Sequence, residues 1–103
     1  MFIAPAGRIG GELTVAGDKS ISHRLVLLSL LNRGSIEITG LSDCIDVKSS
    51  LAAVKQLGVS VTQEKELTLL QNSRMLARQG HFNIDCGNSG TTARLLTGIL
   101  AGQ

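Results

Sequence analysis

The chain has 103 residues, about one domain's worth, with 43% hydrophobic and 17% charged side chains, values that argue against a charge-driven disordered tail. Ten Lys and Arg against eight Asp and Glu leave a formal charge of only +2, and the aromatic side chains are Phe2 and Phe82 alone, so neither a dense basic face nor base stacking supports a nucleic-acid module. No run of 18 apolar residues occurs, which leaves no candidate for a transmembrane helix.

Residues 1–11, rich in Gly and Ala, read as an extended lead-in. Leu13 and Val15 then alternate with Glu12 and Thr14, the period of a strand. Gly17-Asp18 breaks that strand. A helix is predicted over Ser20 to Leu31, with Ile21, Leu25, Leu28 and Leu31 on its buried face, stopped by Asn32-Arg33-Gly34. Ser35 to Thr39 alternates again through Ile36 and Ile38. Ser42 is placed to cap a second helix with Asp43 in its first turn; Val47, Leu51, Val54 and Leu57 mark its buried face and Gly58 ends it. Val59 to Thr62 and Leu67 to Gln71 read as two short strands, and His81 to Cys86 as a further one. The segment 72–80 gives no clear pattern. Gly87-Asn88-Ser89-Gly90 is a turn, and Thr91 to Leu100 a last apolar helix.

The order β-α-β-α-β-β followed by β-α predicts an α/β fold with helices on a small mixed sheet. The final helix, with Leu95, Leu96, Ile99 and Leu100, needs a partner to cover it, so the natural folding unit is expected to continue past Gln103. Cys44 and Cys86 lie 42 positions apart with no metal-ligand spacing. With no signal-peptide pattern at Met1 to Pro5, they read as two buried free thiols in a reducing cytoplasm. His23 and His81 add nothing to a metal site, and none is expected.

One arrangement occurs twice. A strand ends, a Gly turn follows, and a helix opens on small hydroxyl or amide residues: Val15-Ala16-Gly17-Asp18-Lys19-Ser20-Ile21-Ser22-His23-Arg24, and again Asp85-Cys86-Gly87-Asn88-Ser89-Gly90-Thr91-Thr92-Ala93-Arg94. A helix amino end offers unpaired N–H groups and partial positive charge, and glycine lets a ligand approach the backbone. Lys19, Arg24 and Arg94, with His23 beside them, sit in the first turns, where cations are disfavoured unless an anion joins them. Ser20 and Arg24, four apart, share a helical face and suit a carboxylate clamp. The bland alternative makes Ser20 and Ser22 plain caps, and Lys19 and Arg24 solvated charges. It is the better reading of either turn alone, and two matching turns favour an anion site.

Other motifs fail. A P-loop needs Gly where Leu13 and Asp18 stand, and no G-x-G-x-x-G occurs. Ser89 is not in a nucleophile elbow. The G-x-x-G runs at Gly7 to Gly10 and Gly87 to Gly90 are too short to specify a nucleic-acid loop. Asp43 and Asp46 read first as complements to a helix dipole.

The two octapeptides Gly17-Asp18-Lys19-Ser20-Ile21-Ser22-His23-Arg24 and Gly87-Asn88-Ser89-Gly90-Thr91-Thr92-Ala93-Arg94 resemble, in order and separation, the two amino-terminal signatures of the 5-enolpyruvylshikimate-3-phosphate synthase family. The resemblance spans essentially the whole chain. It implies the two-domain enolpyruvyl transferase fold, with residues 1–12 a lead-in strand of the other domain and residues 13–103 an incomplete opening unit plus the next strand and helix. It implies a cytoplasmic enzyme of the shikimate pathway, monomeric at full length. That enzyme moves the carboxyvinyl group of phosphoenolpyruvate to the 5-hydroxyl of shikimate 3-phosphate without a cofactor. Lys19 matches the catalytic lysine that touches both substrates. Ser20 and Arg24 match residues holding shikimate 3-phosphate, chiefly at its carboxylate. Gly90, and Asn88 beside it, match the phosphoenolpyruvate position, where glyphosate also sits; Thr91 and Arg94 are further candidates. Leu95 stands where many members carry Pro.

Family members are several times longer, so the 103 residues alone are expected to lack turnover and to need the remainder of the enzyme as partner. Two alternatives stay open: a non-catalytic anion-binding or assembly fragment, and the related transferase acting on UDP-N-acetylglucosamine, whose first motif carries Lys-Asn in place of Lys19-Ser20.

Overall fold

The computed structural model describes residues 7, 10–13, 15–73, 81 and 83–102. Helix α1 (Lys19–Leu28) runs into a 3-10 turn (Ser29–Leu31) and is followed by β1 (Gly34–Thr39), α2 (Ile45–Gln56), β2 (Ser60–Glu64), β3 (Leu67–Asn72) and α3 (Gly90–Ala101). The class is α/β, as the sequence predicts. The strands form one sheet in the order β1-β3-β2, and both pairings are antiparallel.

The sheet buries one face. In β3 the buried positions are Thr68, Leu70 and Asn72, the period of two that a one-sided strand requires. Leu70 stands opposite Ile36 of β1 and Val61 of β2, so its side chain is flanked by a branched residue on each neighbouring strand. The Asn72 side-chain amide donates to the carbonyls of Ser29 (3.1 Å) and Leu30 (3.2 Å), which ties the middle strand to the carboxyl end of α1. Val47, Leu51 and Val54 of α2 are buried, as their spacing predicts, and Leu57 is half-buried. Gly58, at φ 105°, lets the chain reverse so that Val59 N–H reaches back to the Val54 carbonyl at 3.0 Å.

Four expectations need correction. The buried face of α1 is Ser22, His23, Val26 and Leu27, continued by Leu30; Ile21, Leu25, Leu28 and Leu31 are the exposed side. The helix carries two apolar stripes, and leucine content alone selects the wrong one. The buried stripe is the one whose polar members, Ser22 and His23, find partners on α2 and its approach. The uncovered apolar face therefore belongs mainly to α1, whereas Leu96 of α3 is buried and Leu95, Ile99 and Leu100 are half-buried.

Leu13 and Val15 are 86% and 74% exposed and outside any strand. The described residues of 81–86 are likewise not strand. An alternating segment becomes a strand only where another backbone completes its ladder, and the described residues of neither segment pair with the β1-β3-β2 sheet. Finally, α2 starts two residues later than expected: Cys44 is its cap, and Ser42 lies before it with its hydroxyl accepting from Cys44 N–H at 3.4 Å. The unpatterned stretch 74–80 and Phe82 lie outside the described residues. No helix among the described residues is long and apolar enough to cross a membrane.

Candidate functional site

Helices α1 and α2 run parallel. Lys19 meets Asp46 and His23 meets Ser50, each pair 27 positions apart, so α1 and α2 stay in step over a full turn. Thr92 of α3 meets the same stretch of α2, through Ser50 Oγ at 2.8 Å and the Asp46 carbonyl at 3.5 Å. These contacts bring the positive ends of α1, α2 and α3 together, each equivalent to about half an elementary charge. The two glycine turns singled out in the sequence therefore lie side by side, with the start of α2 between them.

Local chemistry sets both turns. The Asp18 carboxylate accepts from Ile21 N–H at 2.8 Å and caps α1. Gly17 lies so close to the β1–α2 link that a Cβ there would stand 2.0 Å from the Gly40 carbonyl oxygen and 2.9 Å from Ser42 N. Ser22 Oγ accepts from that same Ser42 N–H at 3.0 Å. The second turn is shaped by Gly87, at φ 56°, whose N–H donates to the Asp85 carboxylate at 2.8 Å. Ser89 caps α3 by accepting from Thr92 N–H.

Lys19 Nζ donates to Asp46 Oδ2 at 3.0 Å, and this pair raises the lysine pKa above its ordinary 10.5, first through the hydrogen bond and then through charge. Lys19 is thus a firm cation. Arg24 Nη1 donates to the Ser20 carbonyl at 3.0 Å, which holds its guanidinium on the Ser20 face, as the four-residue spacing predicts. Arg94 folds back over the start of its own helix: a Cβ on Gly90 would lie 3.0 Å from its Nη1. Ser20, Asn88, Gly90 and Arg94 are exposed and Thr91 is half-buried. The arrangement is an open, cation-lined ledge. Two surface hollows lie elsewhere: one of about 590 Å³ at the carboxyl ends of α1 and α2, and one of about 290 Å³ along α2 and β2. The helix dipoles and cations mark the ledge as the candidate site, because neither hollow lies at a helix amino end.

Three residues escaped the sequence reading of the site. Asp46 is more than a dipole complement, since it holds Lys19; nothing in the local sequence announces a contact across 27 residues. Ser50 and Thr92 are fully buried hydroxyls. The available signal was Ser50 itself, a polar residue set among Val47, Leu51 and Val54 on a core face. His23, grouped above with the cations of the first turn, is fully buried, and desolvation pushes its pKa below 6.5. Both cysteines are free and half-buried, not fully buried as expected; a hydrogen bond from Ser42 lowers the Cys44 thiol pKa. Among the described residues no group of three or more His, Cys, Asp or Glu could hold a metal ion.

The sequence model of EPSP synthase (3-phosphoshikimate 1-carboxyvinyltransferase) matches residues 3–103. The chain belongs to the EPSP synthase family. A 3-phosphoshikimate 1-carboxyvinyltransferase of Herpetosiphon aurantiacus is 46% identical over 103 residues, covering 98% of this chain and 24% of that protein. One of Chloroflexus aggregans is 49% identical over 98 residues, covering 93% and 22%. A solved EPSP synthase structure from Acinetobacter baumannii superposes with a TM-score of 0.75 at 32% identity, covering 87% of this chain and 21% of that one. The α/β arrangement of helices and antiparallel strands is thus that of an EPSP synthase, and the chain spans about a quarter of the length of the relatives it matches.

Proposed function

We propose that this chain forms one wall of the substrate site of a 3-phosphoshikimate 1-carboxyvinyltransferase. The observation that supports the proposal is the meeting of the α1 and α3 amino ends at Asp46, whose carboxylate accepts from Lys19 Nζ at 3.0 Å and whose carbonyl lies 3.5 Å from Thr92 Oγ1. Both substrates of such an enzyme, shikimate 3-phosphate and phosphoenolpyruvate, are phosphorylated carboxylates, the chemistry that helix amino ends and cations receive. Ser20 and Arg24 hold shikimate 3-phosphate at its carboxylate, and Asn88 and Gly90, with Thr91 and Arg94, face phosphoenolpyruvate. Lys19 stands between the two.

In the reaction a proton adds to the methylene carbon of phosphoenolpyruvate and the 5-hydroxyl oxygen bonds to the neighbouring carbon while its own proton leaves. The tetrahedral adduct then loses phosphate and a methyl proton, restoring the vinyl group on its new oxygen. The lysine ammonium stabilises charge that develops between the substrates. Residues 1–12 belong to the other domain of the full enzyme, a cytoplasmic monomer, and residues 13–103 to an incomplete first unit. No cofactor takes part.

Calorimetry of the 103-residue chain with shikimate 3-phosphate, and a phosphate-release assay with and without the remaining segments of the enzyme, test this reading. We expect weak binding that Lys19→Met abolishes, no turnover by the chain alone, and turnover on mixing. Binding with no turnover in any mixture would favour the non-catalytic anion-binding fragment. Turnover by the chain alone near that of an intact synthase would refute the division of the site.

A further inference from the structure

Just beneath the ledge, four buried side chains cross all three helices in a single file. His23 Nδ1 lies 2.7 Å from Ser50 Oγ, Ser50 Oγ lies 2.8 Å from Thr92 Oγ1, and Thr92 Oγ1 lies 2.7 Å from Ser89 Oγ. Three of the four are 0% exposed and Ser89 is 3% exposed. The file starts on α1, passes through α2 and ends on the residue that caps α3.

Each hydroxyl has one hydrogen, so the direction of donation at one end fixes it along the whole file. Thr92 Oγ1 donates to Ser89 Oγ; its other acceptor, the Asp46 carbonyl, is a long 3.5 Å away. With that hydrogen used, Thr92 Oγ1 accepts from Ser50. Ser50, its hydrogen used in turn, accepts from His23 Nδ1–H. The imidazole is then neutral with its proton on Nδ1. Its Nε2 is buried and has no hydrogen-bond partner among the described residues. A bare lone pair is the least costly state for that atom, because a proton there would be a buried donor with nothing to receive it.

We propose that His23 is a positioning residue for the anion site: its Nδ1–H, relayed through Ser50 and Thr92, sets where Ser89 holds the amino end of α3. It thereby sets where Gly90 and Thr91 present their N–H groups relative to Lys19 and Arg24. What the site binds rests on the function proposed above; the hydrogen-bond file stands apart from it.

The test is nuclear magnetic resonance on the 103-residue chain carrying 15N in its histidines. Long-range proton–nitrogen spectra read the tautomer of His23 directly. We expect one Nδ1-protonated neutral form, and a Nε2-protonated form would overturn the proposal. Ser50→Ala and Thr92→Val each cut the file at a different link, so one remains informative if the other unfolds. Either variant should disturb the tautomer and move the amide signals of Gly90 and Thr91, and unmoved signals in the folded variants would overturn it. His23→Asn, whose amide reaches the Nδ1 position, should return those signals toward their original places, whereas His23→Leu should not. If these results hold while shikimate 3-phosphate and phosphoenolpyruvate leave the spectrum unchanged, the proposed function fails and the positioning role survives. If both ligands shift the spectrum but His23 carries its proton on Nε2, the positioning role fails alone.

Discussion

Lys19 and Asp46 hold each other across the gap between α1 and α2, Nζ to Oδ2 at 3.0 Å, at the point where all three positive helix ends meet. An anionic substrate arriving on the ledge competes with Asp46 for the same ammonium. Removing the ammonium leaves Asp46 facing that substrate with no cation between them. Lys19→Met in the reconstituted enzyme should therefore weaken both substrates by roughly tenfold or more, the scale of a lost charge-assisted hydrogen bond. Initial-rate kinetics with each substrate varied in turn measures this. Unchanged constants would remove Lys19 from the site.

Gly17 and Gly90 are both glycines at helix starts, yet they answer to different constraints. A Cβ on Gly17 would meet backbone, the Gly40 carbonyl oxygen at 2.0 Å, which cannot move aside without displacing the link that leads into α2. A Cβ on Gly90 would meet the tip of Arg94 at 3.0 Å, and a flexible side chain can yield. Gly17→Ala should cost about 2 kcal/mol or more in urea unfolding, in the range of an overpacked core. Gly90→Ala should stay within about 1 kcal/mol of the parent, as most exposed changes do, but should shift Arg94 and weaken phosphoenolpyruvate. Equal stability losses in the two variants would contradict the contacts described.

Adjacent leucines of α1 give a direct test of which stripe faces the core. Leu27 is 1% exposed and Leu28 51%. Leu27→Ala should destabilise by about 2–5 kcal/mol, the usual cost of a cavity at a buried leucine. Leu28→Ala should change stability by less than about 1 kcal/mol, since alanine keeps the helix and little packing is lost. Urea midpoints of the two variants decide it, and the reverse order would restore the face read from leucine spacing.

That reversal explains much of what the sequence revealed and what it concealed. Helix α2 was readable because only one of its faces is apolar, and β1, β2 and β3 because their alternation matches a sheet buried on one side. Both helix starts were readable as turns because glycine and small capping residues favour a helix amino end, and the cations beside them drew notice because a helix dipole disfavours them there. Helix α1 misled because both faces carry branched aliphatic side chains, and the choice between them rests on where Ser22 and His23 find partners. The segments around Leu13 and Ile84 alternate like strands, yet a strand needs a neighbour, which alternation alone does not supply. The Lys19–Asp46 pair and the His23–Ser50–Thr92 file depend on the packing of distant segments, and no local pattern carries that information.

The buried imidazole also makes stability depend on pH with a defined sign. Burial is the largest influence and lowers the His23 pKa; Asp46 on α2 pulls it up, and Lys19 and Arg24 on α1 push it down. In the unfolded chain His23 takes up a proton near its ordinary 6.5, whereas the folded chain resists until the pH is lower. The unfolded state therefore binds more protons in that interval, so stability rises with pH through it. The contribution of His23 is fully present above 6.5 and is lost as the pH falls from there through the depressed folded value. Urea unfolding at about pH 7.5 and about pH 5.5, above the range where most carboxylates titrate, should show the parent losing stability on acidification. His23→Asn, which cannot take up that proton, should lose markedly less over the same interval. Parallel losses in parent and variant would show that His23 is protonated as readily in the folded chain as in the unfolded one, and would contradict its burial as a neutral group.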